Sequence, residues 1–126
     1  MQQNSSEPWR MKGGVMKVVN LETVAAEAVA HDPEIKKRVL LHESELPCSV
    51  RLSQATLTPG QQVSAHHHEH VCEVFYVLSG DGEFIVDGKT VKVGEGSTIR
   101  IDAGEVHAVV NNSDKDMSLL YFGLPV

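Results

Sequence analysis

Short runs of β-branched and aromatic residues, separated by Gly, Asp and Asn, fill the chain from about residue 36 to the C-terminus. Runs of this kind between turn-forming residues are typical of β-strands. The pattern predicts strands near Lys36–His42, Val50–Thr58, Glu73–Leu78, Glu83–Val86, Thr90–Val93, Ser97–Ile101, His107–Asn111 and Met117–Phe122. Many short strands with little helix favour an all-β, double-sheet roll around one core.

Two local signals refine this outline. The pair Asp87-Gly88 lies between two predicted strands, and Asp-Gly is favoured in two-residue hairpin turns because both residues can take positive φ. Ahead of the strands, Asn20 precedes an alanine-rich run that Asp32-Pro33 would end. Asn is a preferred helix N-cap and Pro stops a helix, so we expect one short N-terminal helix over this run.

Two predicted strands lack the polar positions that a solvent-exposed face requires. Residues 74–78 read VFYVL and residues 118–122 read SLLYF, so apolar side chains fall on both faces of each strand. A sheet with one solvated face would alternate apolar and polar residues. We therefore expect the outer face to be covered, either by the N-terminal segment or by a second copy of the chain, and we favour a homodimer.

The composition narrows the classes of function. A chain of 126 residues with 41% hydrophobic and 22% charged residues is typical of one globular domain; we assign residues 15–126 to it, after a flexible polar leader at 1–14. No apolar run reaches the roughly 18 residues of a membrane span. The formal charge of −6 disfavours nucleic acid. The N-terminus has no apolar core of a secretory signal, so we expect a cytoplasmic protein.

The stretch VSAHHHEHVCEVFYVLSG, residues 63–80, concentrates candidate metal ligands. Side chains alternate along an extended chain, so His66 and His68 share one face and His67 takes the other. The odd separation between His68 and Glu73 requires a bend around residues 69–72 to bring Glu73 to the same side. Such a bend would turn Cys72 away, although alternation alone does not exclude His70.

A further donor must come from elsewhere, because one strand cannot surround an ion. His107 is the candidate, since it follows the tight turn DAGE and begins an apolar strand. Three imidazoles and one carboxylate suit one divalent transition metal per chain, with Fe(II) or Mn(II) favoured and Ni(II), Zn(II) or Co(II) also compatible. Six-coordinate geometry would leave two positions for water, substrate or dioxygen.

The same residues resemble the two motifs of the cupin superfamily. Gly60, His66, His68, Glu73 and Gly80 match the first motif at its defined spacing. The second motif is matched by Gly96, Ala103, Gly104, His107 and Asn111, with Asp102 where the family pattern has proline. The resemblance implies a double-stranded β-helix (jelly-roll) barrel with His66, His68, Glu73 and His107 as the metal ligands. It spans residues 60–111, and the flanking strands extend it.

The resemblance implies a range of functions, because cupins include dioxygenases, isomerases, decarboxylases, lyases and binding proteins, and fold alone does not name a reaction. We expect a metal-dependent, dioxygenase-like enzyme acting on a small organic acid or enol, in which Glu73 also accepts a proton. The alternative is a non-catalytic module that binds or senses a small molecule. Candidate substrate-binding residues are Arg51, Gln54 and Tyr76.

Several residues receive no catalytic role at this stage. Alternation along residues 51–56 allows only one of two sets of polar side chains to face a ligand, and the sequence leaves the choice open. We interpret His67 and His70 as residues at the rim of the site, and His31 and His42 as ordinary histidines. We expect Cys48 and Cys72 to be reduced thiols, because they form no CxxC pair. No glycine-rich phosphate loop or GxSxG elbow is present.

Overall fold

The computed structural model describes residues 16–48 and 50–126, which form two antiparallel β-sheets. The strands are β1 (Glu27–Ala28), β2 (Lys36–Leu41), β3 (Val50–Leu57), β4 (Gln62–His66), β5 (Val71–Ser79), β6 (Asp81–Val86), β7 (Lys89–Gly94), β8 (Thr98–Ile101), β9 (His107–Val110) and β10 (Met117–Pro125). One sheet has the order β1-β2-β3-β10-β5-β8 and the other β4-β9-β6-β7. The predicted all-β double-stranded β-helix is therefore confirmed.

The core lies between the two sheets and is built from alternate residues of their strands. On β5, Phe75 and Val77 are buried while Tyr76 and Leu78 point outward and are exposed. Phe75 contacts Phe84 of the other sheet edge to face, with ring centroids 5.1 Å apart. Each fully buried side chain of this size stabilises the fold by about 1.5–3 kcal/mol. The remaining core members are Ile35, Leu57, Val93, Ile101, Val109, Met117 and Leu119.

The eight predicted strands are all present, and the Asp87-Gly88 turn joins β6 to β7 with φ of 48° and 81°. Two strands were missed. The first, β1, is only two residues long. The second, β4, reads QVSAH and carries too few apolar residues to show a strand alternation. Because β4 holds the first candidate ligand, its position matters more for the site than for the core.

The short N-terminal helix is smaller than the alanine-rich run suggested. A single 3-10 turn spans Leu21–Thr23, and the side chain of Asn20 caps it by accepting a hydrogen bond from the Glu22 backbone at 2.8 Å. The alanine-rich run continues into β1, which pairs with β2. Pairing with a sheet edge satisfies the same backbone groups as a helix would, so tertiary contact overrides the intrinsic preference of alanine.

Two further sequence-based expectations concern the N-terminus and membranes. The leader predicted at residues 1–14 lies outside the described residues. Within the part of the chain that the structure describes, no helix is long and apolar enough to cross a membrane.

Candidate metal centre

Strand pairing brings the two histidine-bearing segments together. His66 ends β4 and is the Cα partner of His107, the first residue of β9. Glu73 comes from β5 of the opposite sheet, where it pairs with Ile101 of β8. His68 lies in the loop between β4 and β5, and its carbonyl accepts a hydrogen bond from Gly104 at 2.8 Å. The tight turn before β9 therefore fixes the loop that carries His68.

Four side chains converge at this junction of the sheets. Ligand atoms of His66, His68, Glu73 and His107 all lie within 4.8 Å of one another. Glu73 Oε1 is 3.1 Å from His107 Nε2 and 3.3 Å from His68 Nε2. The bend at residues 69 and 70 provides the change of face that simple alternation could not. The cluster is thus the set of residues that the sequence analysis singled out.

The hydrogen-bond contacts of the histidine rings show that the cluster fits a cation. The Nδ1 atoms of His66 and His107 lie 2.8 Å and 3.0 Å from the carbonyls of Ser64 and Glu105. A carbonyl only accepts, so each Nδ1 carries the proton and each neutral ring turns an Nε2 lone pair inward. At His107 that lone pair faces a carboxylate oxygen of Glu73. Two acceptors at this distance need a proton or a metal cation between them.

Electrostatics act differently on the two paired histidines. Burial alone would lower the pKa of His107, but the hydrogen bond to Glu73 and the contact with the Glu105 carbonyl outweigh it, so the pKa is raised. Burial lowers the pKa of His66, assisted by the neighbouring imidazoles and opposed by the Ser64 hydrogen bond. The pKa shifts of His66 and His107 therefore have opposite directions within one cluster, and a divalent ion bound there would displace any proton held between His107 and Glu73.

The cluster opens into two adjoining recesses. The inner recess encloses about 520 Å³ of empty space, part of it open to solvent, and apolar core residues such as Ile35 and Phe75 line it. The outer recess shares His66 and Glu73 with the inner one and adds Lys37 and Arg51. A ligand at the cluster would therefore have an apolar side and a cationic side.

The structure separates the three residues proposed for substrate contact. Arg51 lines the outer recess together with Ser53. Gln54 lies on the opposite face of β3, because side chains alternate, and its amide donates hydrogen bonds to Thr56 at 2.8 Å and Ser118 at 2.9 Å. Tyr76 lies on the outward face of β5 and is 43% exposed. Of these three, Arg51 lines the outer recess, whereas Gln54 and Tyr76 line neither of the two recesses.

The other histidines and the cysteines also have definite places. His67 and His70 are exposed in the loop between β4 and β5, and neither belongs to the four-residue cluster. His42 precedes a 3-10 turn at Glu43–Glu45. Cys48 and Cys72 are free thiols, and Cys72 is outside the cluster although it precedes Glu73.

Two residues of the recesses were not assigned to the site from the sequence. His31, which was interpreted as an ordinary histidine, has its ring 5.6 Å from that of His66 and lines both recesses. Its neighbour Asp32 is buried and accepts hydrogen bonds from the Ser64 backbone at 3.1 Å and the Ser64 hydroxyl at 2.7 Å. Lys37 was likewise assigned only to a strand. No sequence signal indicated that the turn between β1 and β2 folds against β4.

Tyr121 lines both recesses. Its ring stacks on Phe75 at a centroid distance of 5.3 Å. Burial and the nearby carboxylate of Glu73 raise the pKa of Tyr121, while a hydrogen bond with Ser53 opposes them. The phenol therefore remains neutral at physiological pH and can act as a hydrogen-bond donor.

Comparison with known proteins agrees with this architecture. The cupin domain family model matches residues 53–123. The oxalate-binding protein of Thermotoga maritima is 30% identical over 115 residues, covering 87% of this chain and 95% of that protein. A predicted oxalate decarboxylase from Thermotoga maritima has a TM-score of 0.81 at 26% identity, covering 87% of this chain and 100% of the other. The polyketide cyclase RemF from Streptomyces resistomycificus has a TM-score of 0.75 at 28% identity, covering 88% and 80%. This chain belongs to the cupin domain family.

Proposed function

We propose that this chain is a metal-dependent cupin that binds a small organic acid. His66, His68, Glu73 and His107 would hold one divalent transition metal, with Fe(II) or Mn(II) favoured by the mixed nitrogen and oxygen donors. The observation that carries the proposal is the convergence of the four ligand atoms within 4.8 Å. The Nδ1 contacts described above support it, because they direct Nε2 lone pairs into the cluster.

A carboxylate is the ligand class that the surroundings favour. Arg51 lines the outer recess, and guanidinium groups bind carboxylates through paired N–H donors. The names oxalate-binding protein and predicted oxalate decarboxylase, both given to similar Thermotoga maritima chains, point to the same class. Oxalate is therefore the first acid to test.

The proposed activity is dioxygenase-like or related chemistry on such an acid or its enol. A bound divalent ion would supply Lewis acidity to a carboxylate or enolate oxygen. In this scheme Glu73, whose Oε1 lies beside the rings of His68 and His107, accepts a proton from the acid or enol. The neutral Tyr121 hydroxyl donates to a ligand oxygen, and the apolar wall around Phe75 limits the access of water.

Non-catalytic binding of the same acid is the second candidate. The oxalate-binding relative is named for binding and not for a reaction, which favours this alternative. The two candidates differ in one measurement. An enzyme consumes the acid, with or without dioxygen uptake, whereas a binding protein saturates without any product.

The experiment that tests the metal site compares two histidine variants. Tag-free protein purified without added metal should contain about one equivalent of transition metal per chain. His107→Ala should lose most of it, because one of four converging donors is gone. His67→Ala is the matched control, since His67 is exposed and outside the cluster. Equal metal content in both variants would show that the ligand assignment is wrong, and circular dichroism checks that both variants fold.

The oligomeric state and the cellular location remain proposals. The outer face of the larger sheet exposes Tyr76 and Leu78 to 43% and 39%, and Tyr76 pairs with Leu120 across the β5–β10 ladder. This apolar face supports the homodimer expected from the sequence, and analytical ultracentrifugation measures it directly. The cytoplasmic location likewise stays a prediction.

A further inference from the structure

Two basic side chains face the metal centre from neighbouring strands. Lys37 of β2 and Arg51 of β3 both line the outer recess, together with His66, His68 and Glu73. The direction of Lys37 follows from the alternation of β2, since Val39 on the same side is buried. In β3 the register shifts between Val50 and Ser53, so the direction of Arg51 is given by its place in the lining of the recess. The register pairs Lys37 with Ala55 and Val39 with Ser53, so the two strands present this side together. We call Lys37 and Arg51 the basic pair.

The surroundings of the basic pair disfavour the charged form of Lys37. Burial lowers the pKa of Lys37, and the nearby positive charge of Arg51 lowers it further, against a smaller opposite effect of Glu27 and Glu43. Among the described residues, Lys37 has no ion-pair partner within 4 Å. Two like charges that are partly withdrawn from water in this way would be stabilised by an anion between or beside them.

Arg51 has one charged partner, and most of its N–H donors remain available. Its Nε lies 3.2 Å from Glu43 Oε2, and the Glu43 side chain is 61% exposed, so water weakens the attraction. A guanidinium has five N–H donors. The contact through Nε therefore leaves the terminal N–H donors for another acceptor.

The site offers positive groups to a ligand at two separate places. A divalent ion with the Glu73 carboxylate would have a formal charge of +1, because three of the four ligands are neutral imidazoles. Beside it, Lys37 and Arg51 each carry a positive charge; Glu43 contacts only Arg51, and Glu27, the cross-strand neighbour of Lys37, forms no ion pair with it among the described residues. We propose that Lys37 and Arg51 form a second anion subsite beside the metal, so that the ligand is a small dianion, such as a dicarboxylate, rather than a monocarboxylate. This inference rests on the proposed metal-dependent binding of an organic acid.

The test compares two acids of equal carbon number. Oxalate carries two negative charges, whereas glycolate carries one and can still offer two oxygens to a metal. Binding of both to Mn(II)-loaded protein is measured by calorimetry for the wild type, Lys37→Met and Arg51→Met. Lys36→Met is the matched control, because it removes the same charge from the adjacent, exposed position of β2. Metal content is measured before and after each titration.

We expect each substitution in the basic pair to weaken oxalate binding about tenfold or more, as for the loss of a hydrogen bond to a charged group. Glycolate binding should change by less than about threefold, and Lys36→Met should leave both acids unchanged. Equal losses for the two acids, or no loss for either, would overturn the subsite while leaving metal-dependent acid binding intact. A wild type that retains Mn(II) but binds neither acid would instead overturn the proposed function, and the subsite with it.

Discussion

Replacing Asp32 by alanine tests how the fold positions the metal centre. Asp32 is 5% exposed and accepts two hydrogen bonds from Ser64, one from the backbone N–H and one from the hydroxyl. The carbonyl of the same Ser64 accepts the Nδ1–H of His66 at 2.8 Å. The substitution therefore removes both contacts that hold the residue orienting a proposed metal ligand. We expect a loss of stability and a loss of metal affinity together.

The expected magnitude follows from the exposure of the groups that lose their partner. A buried donor left without an acceptor costs about 1–3 kcal/mol. Ser64 is itself exposed, so water replaces part of each lost bond and the low end applies. Two bonds then give a decrease of about 2 kcal/mol in the free energy of unfolding. Metal affinity should fall about tenfold, the low end for contacts outside the ligands, because Asp32 acts through Ser64.

The assay separates the two effects. Urea denaturation of the metal-free protein gives the free energy of unfolding, and calorimetric titration with Mn(II) gives the affinity. Asp114→Ala is the control, because Asp114 is exposed in the loop before β10 and should change stability by less than about 0.5 kcal/mol. Asp32→Asn keeps one acceptor oxygen and should fall between the wild type and Asp32→Ala. Unchanged metal affinity in a destabilised Asp32→Ala variant would refute the positioning of His66 by this contact.

Two further predictions concern pH and the second cupin motif. The pKa of Lys37 lies below its ordinary value of 10.5, so oxalate should bind with full affinity at pH values below that lowered pKa and more weakly as the pH rises through it. In Lys37→Arg the positive charge persists, so the oxalate affinity measured by calorimetry should not change across this pH range. A wild-type affinity that is equally independent of pH would contradict the role of Lys37. Asn111 is fully buried and forms four side-chain hydrogen bonds, two donated to backbone carbonyls and two accepted from Ser113. Asn111→Ala should therefore lower the free energy of unfolding by about 3 kcal/mol or more. The control Asn112→Ala, at an exposed position, should leave it unchanged. Equal urea midpoints for the two variants would show that the hydrogen bonds of Asn111 do not stabilise the fold.

Much of the fold was predictable because its strands are locally encoded. The eight predicted strands contain apolar residues at alternate positions or over their whole length, and the Asp87-Gly88 turn has a specific chemistry. The exceptions have a common cause. The strand β1 and the strand β4 bury little of their own surface, and each exists because a neighbouring strand pairs with it. Pairing between distant segments leaves no local pattern in the sequence.

The candidate site likewise contains residues that the sequence could identify and residues that it could not. The cluster of His66, His68, Glu73 and His107 could be identified because its residues have a distinctive chemistry at a defined spacing. The positions of His31 and Lys37 could not, because they depend on how the turn after β1 folds against β4. The buried Asp32 holds that turn to Ser64, and the two residues are 32 positions apart in the sequence. Only the folded chain shows that they are neighbours.

The apolar positions of β3 already indicate which of its polar side chains face inward. On β3, Ala55 and Leu57 are buried and apolar, so Ser53 shares their inward face while Gln54 points away. The register shift between Val50 and Ser53 interrupts this alternation at Arg51. On several strands of both sheets, a buried apolar residue of the inward face is followed or preceded, two positions away, by an inward residue with a polar or titratable side chain. The pairs are Val39 and Lys37, Ala55 and Ser53, Phe75 and Glu73, Val109 and His107, and Leu119 and Tyr121. These changes all occur at the end of the barrel where the recesses open. In a barrel of this kind, the point at which the inward face stops being apolar therefore locates the site on strands that carry no motif.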